Sequence, residues 1–125
     1  MKLNAVAVVA SDIAKSKLFY EILGFEFEKG EPDASHIESV NQATKLMLDD
    51  VAMISSVTGH APTPASYSCF AVEFETVEKL NEKAKMLVEK GFTVEKEPWD
   101  AFWGQRYCIA KDPFGNFVDL YAKLK

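Results

Sequence analysis

The chain has 125 residues, 48% of them hydrophobic and 26% charged, with 14 basic and 19 acidic side chains and a net charge of −5. This size predicts one compact domain, residues 1–125, that is large enough to bury a core. The basic residues are scattered and no apolar stretch approaches the roughly 20 residues that cross a bilayer, so we predict no nucleic-acid and no membrane partner. The N-terminus lacks a cleavable signal pattern, and a cytoplasmic location is expected.

The first half of the chain predicts a strand, a helix and three more strands. Leu3–Ala10 is almost continuously apolar, as a buried strand is. Asp12 is placed to cap a helix whose apolar residues recur every four positions, and Gly24 is placed to end it. The three strands that follow are predicted at Phe25–Lys29, His36–Val40 and Leu46–Val51.

The second half repeats this order after a linker. Residues 58–65 contain Pro62 and Pro64, which exclude both a helix and a central strand. Thr76 is the predicted cap and Gly91 the predicted end of a second helix. The four strands of this half are predicted at Tyr67–Phe74, Phe92–Lys96, Gln105–Lys111 and Asn116–Tyr121.

These signals predict an α+β fold of two tandem βαβββ modules, at about residues 1–57 and 66–125. Each module is too small to bury its sheet alone, so we expect the modules to form a curved mixed sheet around a central cleft. A cleft of this kind is a usual place for a small ligand. The modules could pair within one chain or exchange between two chains.

Several short motifs stand at fixed places in this repeat: Asp12-Ile13, Phe19-Tyr20 and Leu23-Gly24-Phe25 near the start, and Trp103-Gly104-Gln105-Arg106 and Asp112-Pro113-Phe114-Gly115-Asn116 near the end. Over essentially the whole chain they resemble the glyoxalase, bleomycin-resistance and dioxygenase superfamily, which has the vicinal oxygen chelate fold. The resemblance implies a homodimer and a wide choice of activities: metal-dependent lyases and isomerases, ring-cleaving dioxygenases, thiol transferases, and metal-free proteins that sequester drugs.

Metal-dependent members of that superfamily hold a divalent cation through His, Glu or Gln on inward-facing strand positions. The resemblance places these positions on Ala5, on a residue between Met47 and Asp49, on Cys69 or its neighbour Ser68, and on Asp119. Ala5 has no donor atom, and Met47 and Leu48 are poor ligands for a hard cation, so we predict no metal and no other cofactor. The sequence has no Gly-x-Ser-x-Gly motif, no Gly-rich phosphate loop and no evident Ser-His-Asp set, so we predict no catalytic residue. The alternative is a divalent metal ion held by Cys69 and Asp119 together with a histidine.

The two histidines and two cysteines otherwise suggest ordinary structural roles. His36 is expected to be a strand residue and His60 a surface residue of the linker. Cys69 and Cys108 lie in apolar, strand-like stretches, which predicts two buried thiols. The pair Asp49-Asp50 is expected to be solvated turn charge rather than a catalytic dyad.

Candidate ligand-binding residues concentrate between positions 97 and 119. Aromatic rings there could stack on a planar or cationic compound, or could fill the core. Arg106 could bind an anionic group or, as we favour, could brace the fold by pairing with Asp112, Asp119 or a surface acid. The predicted ligand-binding set is Trp99, Phe102, Trp103, Arg106, Phe114 and Asp119.

From the sequence we therefore predict a small-molecule binding protein, similar to the metal-free bleomycin-resistance branch, that sequesters a hydrophobic or cationic aromatic compound without chemistry. The alternative is a metal-dependent lyase or dioxygenase with an atypical ligand set. A regulatory or protein-interaction role without a small ligand is the third possibility.

Overall fold

A computed structural model of the chain describes residues 1–30 and 33–125, which contain three helices and eight strands. The chain divides into two compact units, Met1–Pro64 and Ala65–Lys125. Each unit contains a four-stranded mixed sheet and the order strand, helix and three strands. The predicted α+β class and the tandem βαβββ arrangement are confirmed.

The first unit arranges its strands in the order β1-β4-β3-β2, with β1 parallel to β4 and the other neighbours antiparallel. Its elements are β1 (Ala5–Ala10), α1 (Ile13–Leu23), β2 (Glu26–Phe27), β3 (His36–Val40), β4 (Lys45–Asp50) and α2 (Val51–Thr58). Alternate residues of β1 and β4 are buried with α1, among them Val8, Leu46, Leu48, Phe19 and Tyr20.

Both predicted ends of α1 are confirmed. The Asp12 side chain accepts a hydrogen bond from the Lys15 amide at 3.1 Å, which satisfies one of the free N–H groups of the first turn. Gly24 ends the helix with φ 116°, a left-handed conformation in which a side chain would be strained.

Helix α2 was not predicted. It begins directly after β4, where the Asp50 carboxylate accepts from the amides of Ala52 and Met53, and it ends at Thr58. Asp50 is therefore a helix cap, and the solvated-turn interpretation of the Asp49-Asp50 pair was wrong. The predicted linker of residues 58–65 overlaps the last residue of this helix.

The second unit has the equivalent strand order β5-β8-β7-β6, with β5 parallel to β8. Its elements are β5 (Ser68–Glu73), α3 (Val77–Glu89), β6 (Thr93–Asp100), β7 (Gln105–Lys111) and β8 (Phe117–Lys123). Thr76 caps α3 as predicted, and its hydroxyl accepts from the Lys79 amide at 3.0 Å. The predicted Phe92–Lys96 strand is longer in the structure and extends to Asp100.

The two faces of the second sheet differ in character because side chains alternate along each strand. Helix α3 packs on one face, and its Leu80, Ala84 and Leu87 are buried. The small and aliphatic residues buried with them are Cys108, Ala110, Val118, Leu120 and Ala122. The opposite face carries the alternate residues, which are larger and only half-buried, and it holds the candidate site.

The turn between β7 and β8 is built around Asp112. Its carboxylate accepts from the amides of Phe114, Gly115 and Asn116 and from the Asn116 side chain, at 2.9 to 3.0 Å. The Gly115 amide also donates to the Asp112 carbonyl at 2.9 Å, as in the predicted β-turn. The Asp-Pro-Phe-Gly-Asn motif thus has a structural function in this fold.

Candidate functional site

A cavity of about 470 Å³ lies on the face of the second sheet that points away from α3. Strands β5 to β8 all contribute to it. Its walls are formed by Ser66, Tyr67, Ser68, Lys96, Trp99, Trp103, Tyr107, Ile109, Phe117 and Asp119. The volume suits a small organic ligand of two or three rings.

Three aromatic side chains form one wall of this cavity and hold each other edge to face. The ring centroids of Trp99 and Trp103 are 6.1 Å apart, and those of Trp99 and Tyr107 are 5.6 Å apart. Trp103 and Tyr107 are separated by 5.1 Å. Edge-to-face contacts of this kind fix the ring orientations and leave ring faces available to a planar ligand.

Asp119 supplies a carboxylate in the same cavity. It accepts a short hydrogen bond from the Ser68 hydroxyl through one oxygen, and one from the Tyr107 hydroxyl at 2.5 Å through the other. Desolvation, followed by the hydrogen bond to Asp119, raises the pKa of Tyr107 well above its ordinary value. Tyr107 therefore keeps its proton at neutral pH and acts as a hydrogen-bond donor.

Lys96 is the cationic member of the cavity wall. Its Nζ lies 4.2 Å from the centroid of the Trp99 ring, within range of a cation–π interaction. In a regular strand, residues three apart face opposite sides of the sheet. The register of β6 shifts between Lys96, which lies opposite Ile109, and Trp99, which lies opposite Tyr107. This β-bulge turns Lys96 and Trp99 to the same face.

The structure brings together three of the six predicted ligand-binding residues, Trp99, Trp103 and Asp119. Phe102 is 96% exposed and contacts Trp103 from outside the cavity, with the two rings 4.9 Å apart. Phe114 lies in the turn between β7 and β8.

Arg106 lies on the α3 face of the sheet, opposite to the cavity. Its Nε forms a short ion pair with Asp100, which is its cross-strand neighbour, and one terminal nitrogen donates to Asn81 of α3 at 3.2 Å. The pairing with Asp100 raises the pKa of Arg106. The structure therefore shows the brace that we favoured, with a surface acid as its partner.

Sequence reasoning omitted Lys96, Ser68 and Tyr107 from the candidate set. Alternation along β7 and β8 divides each strand between two faces, and the pairing register of the two strands places Tyr107 and Asp119 on the same face, since Tyr107 lies opposite Tyr121 and Ile109 lies opposite Asp119. Lys96 gave no such signal, because the bulge that turns it inward is a property of strand pairing.

The two cysteines differ, and the prediction that both are buried was wrong for Cys69. Cys108 is fully buried, and desolvation raises its pKa to about 12. Cys69 is exposed. It lies on the edge strand β5, along which exposed and half-buried residues alternate, and Cys69 is at one of the exposed positions. The apolar stretch around it did not indicate which face it is on.

The first unit carries a second polar cluster, and its charges pair with one another. The Asp49 carboxylate forms a short hydrogen bond with His36 Nδ1, while His36 Nε2 lies 2.9 Å from Glu38. Glu38 in turn lies 3.5 Å from Lys45 Nζ. The hydrogen bond to Asp49, followed by the one to Glu38, raises the pKa of His36. These contacts favour a structural ion-pair chain.

The donor groups in the second unit do not fit a divalent metal of the usual kind. Asp119 has hydroxyl partners on both of its oxygens, and Cys69, its predicted co-ligand, is exposed on the edge strand. Among residues 1–30 and 33–125, no group of three or more His, Cys, Asp and Glu side chains is arranged to hold a metal ion.

Comparison with known proteins identifies relatives over nearly the whole chain. A family model described as Glyoxalase/Bleomycin resistance protein/Dioxygenase superfamily matches residues 2–120. An uncharacterized protein of Mycobacterium bovis is 30% identical over 120 residues, which are 90% of this chain and 78% of that protein.

Solved structures show the same fold. A glyoxalase-related enzyme from Fulvimarina pelagi matches with a TM-score of 0.84 and 17% identity, over 98% of this chain and 88% of that one. A lactoylglutathione lyase from Agrobacterium tumefaciens matches with a TM-score of 0.69 and 19% identity, over 95% of this chain and 91% of that one. No helix within the described ranges of this chain is long and apolar enough to cross a membrane.

Proposed function

The chain belongs to the Glyoxalase/Bleomycin resistance protein/Dioxygenase superfamily, and on that premise we propose that it is a binding protein that sequesters a hydrophobic or cationic aromatic compound without chemistry. The ligand would occupy the cavity of the second unit. The observation that carries this proposal is the wall of Trp99, Trp103 and Tyr107 beside the Asp119 carboxylate.

The aromatic wall supports stacking as the main source of affinity. Trp103 is 48% exposed, so a ligand that covers its ring removes apolar surface from water. A two-ring compound at about 0.5 kcal/mol per heavy atom would bind with a Kd of about 0.1 mM. Hydrogen bonds to the bound compound would lower this Kd further.

The polar groups of the cavity suit binding better than catalysis. Tyr107 keeps its proton because its pKa is raised, and its hydroxyl is directed at Asp119. Ser68 also donates to the Asp119 carboxylate, which is a weak base, and the described residues that line the cavity include no histidine to act as a stronger one. These groups can orient a ligand by hydrogen bonding.

The proposal is tested by isothermal titration calorimetry with 2-naphthol as a neutral probe and proflavine as a cationic probe. Trp103→Leu is expected to weaken both probes about tenfold, because it removes a ring from the wall. Phe102→Ala is the matched control: it deletes the neighbouring aromatic outside the cavity and should leave both Kd values unchanged. The probes should be recovered unmodified, as measured by mass spectrometry.

The same protein samples distinguish the metal-dependent alternative. Elemental analysis measures the metal content of the purified protein. Titrations in the presence of a chelator and in the presence of divalent ions should give the same probe affinities. Stoichiometric metal whose removal abolishes binding, or turnover of a bound compound, would contradict sequestration and favour a lyase or dioxygenase that uses Asp119.

A further inference from the structure

The cavity of the second unit contains two opposite charges at fixed positions. Lys96 on β6 lies opposite Ile109 on β7, and Ile109 lies opposite Asp119 on β8. Lys96 and Asp119 thus stand at the two ends of one cross-strand row, separated by two strand spacings, or roughly 10 Å between their backbone positions. They are the charged residues among those that line the cavity.

The two charges are held by different neighbours. Asp119 accepts from two hydroxyl groups, which stabilise the carboxylate and leave its negative charge in place. Lys96 lies over the face of Trp99, which is a favourable position for an ammonium group and leaves its positive charge in place. Among the described residues, Lys96 and Asp119 do not form an ion pair of 4 Å or less with each other. The cavity is therefore dipolar, with a positive end on β6 and a negative end on β8.

The position of Lys96 depends on two register shifts in β6, one between Val94 and Lys96 and one between Lys96 and Trp99. Without the second shift, Lys96 and Trp99 would point to opposite faces and could not line the same cavity. Bulges beside a site commonly re-aim a side chain. The strand therefore departs from regular pairing at the residues that give the cavity its second charge.

From this arrangement we propose that the ligand is dipolar: a flat aromatic compound with a protonated amine at one end and an acidic group at the other. This rests on the proposed binding function and narrows its ligand class. The amine faces Asp119, the acidic group faces Lys96, and the ring lies along Trp103 and Tyr107. A ligand with only a cation must compete with the Lys96 ammonium for Trp99, and a ligand with only an anion meets the Asp119 carboxylate.

The test compares naphthalene probes that differ only in charge. They are 6-(aminomethyl)-2-naphthoate, which is dipolar and has its two charged groups at opposite ends, 6-methyl-2-naphthoate, which is anionic, and (6-methylnaphthalen-2-yl)methylamine, which is cationic. Calorimetry on the unmodified protein should give a Kd for the dipolar probe that is about tenfold lower than for either singly charged probe, because one more charge-assisted contact is made.

Variants at each end of the row assign the preference to its residues. Lys96→Met should remove the advantage of the dipolar probe over the cationic probe, and Lys96→Glu should reverse it. Asp119→Asn should remove the advantage over the anionic probe. Lys123→Met is the control, since it deletes an equal charge from the same sheet at a side chain that is 79% exposed and lies outside the cavity.

The outcomes separate this inference from the binding function itself. If 2-naphthol and the three naphthalene probes all fail to bind, the proposed function is wrong and the dipolar ligand with it. If the probes bind with equal affinity, or if Lys96→Met and Lys96→Glu leave their order unchanged, the binding function stands and the dipolar ligand is refuted. The Lys96 variants suffice for this decision even if Asp119→Asn does not fold, because Lys96 is exposed.

Discussion

Replacing Asp112 by Ala tests whether the Asp-Pro-Phe-Gly-Asn motif stabilises the fold. The carboxylate accepts four hydrogen bonds, and the residue is 4% exposed. Two of the four donors, the amide and the side-chain nitrogen of Asn116, are buried, while the Phe114 and Gly115 amides are partly buried and can be hydrated. At about 1.5 kcal/mol for each buried donor left without its partner, Asp112→Ala should lower the free energy of unfolding by about 3 kcal/mol.

The measurement is urea unfolding followed by circular dichroism and tryptophan emission. Asp112→Asn keeps an acceptor oxygen and should lose less than Asp112→Ala. Asp33→Ala removes the same charge from an exposed turn residue and should change the free energy of unfolding by less than about 0.5 kcal/mol. A loss below about 1 kcal/mol for Asp112→Ala would show that the turn does not depend on this carboxylate, and the structural account of the motif would be wrong.

Two further predictions concern titration and thiol chemistry. Because Asp49 and then Glu38 raise the pKa of His36 above 6.5 in the folded state, the protonated histidine contributes stability that is full below about pH 6.5 and is lost as the pH rises through the folded pKa. Because 39% of the His36 side chain is exposed, this contribution should be about 0.5 to 1 kcal/mol. It should be seen as a decrease in the free energy of unfolding from pH 5.5 to 8.5 that is absent in His36→Gln. Equal pH dependence in both proteins would contradict the pairing. In a thiol titration, the folded protein should react at Cys69 alone and the unfolded protein at both cysteines, because Cys108 is buried with a pKa of about 12. Reaction at Cys69 should be slow, since desolvation also raises its pKa, and two fast thiols in the folded state would be inconsistent with this burial.

Most of the secondary structure could be predicted because its signals are local. Asp12 and Thr76 cap the two predicted helices, Gly24 ends the first, and β3 and β7 have the predicted bounds. Each of these depends on residues within a few positions of one another, through side-chain hydrogen bonds to nearby amides or through alternation along a strand. Helix α2 was missed because its cap, Asp50, was interpreted as turn charge and Val51 was assigned to the preceding strand, while residues 52–57 were given no element.

The candidate site could be predicted in part for the same reason. Trp99, Trp103 and Asp119 were identified by residue type and position, and the structure places them around one cavity. Arg106 was assigned to the candidate set although it lies on the other face, because its position depends on pairing with Asp100 across the sheet.

The sequence alone thus determined the repeat, the helix caps and the residue types available to a site, since periodicity and capping act between neighbours along the chain. The tertiary structure decided which side chains share a face. The β6 bulge turns Lys96 toward Trp99, and β5 turns Cys69 to its exposed face. A one-residue change in register reverses the facing of every later side chain in a strand, and register is set by hydrogen bonds to a strand that is distant in sequence.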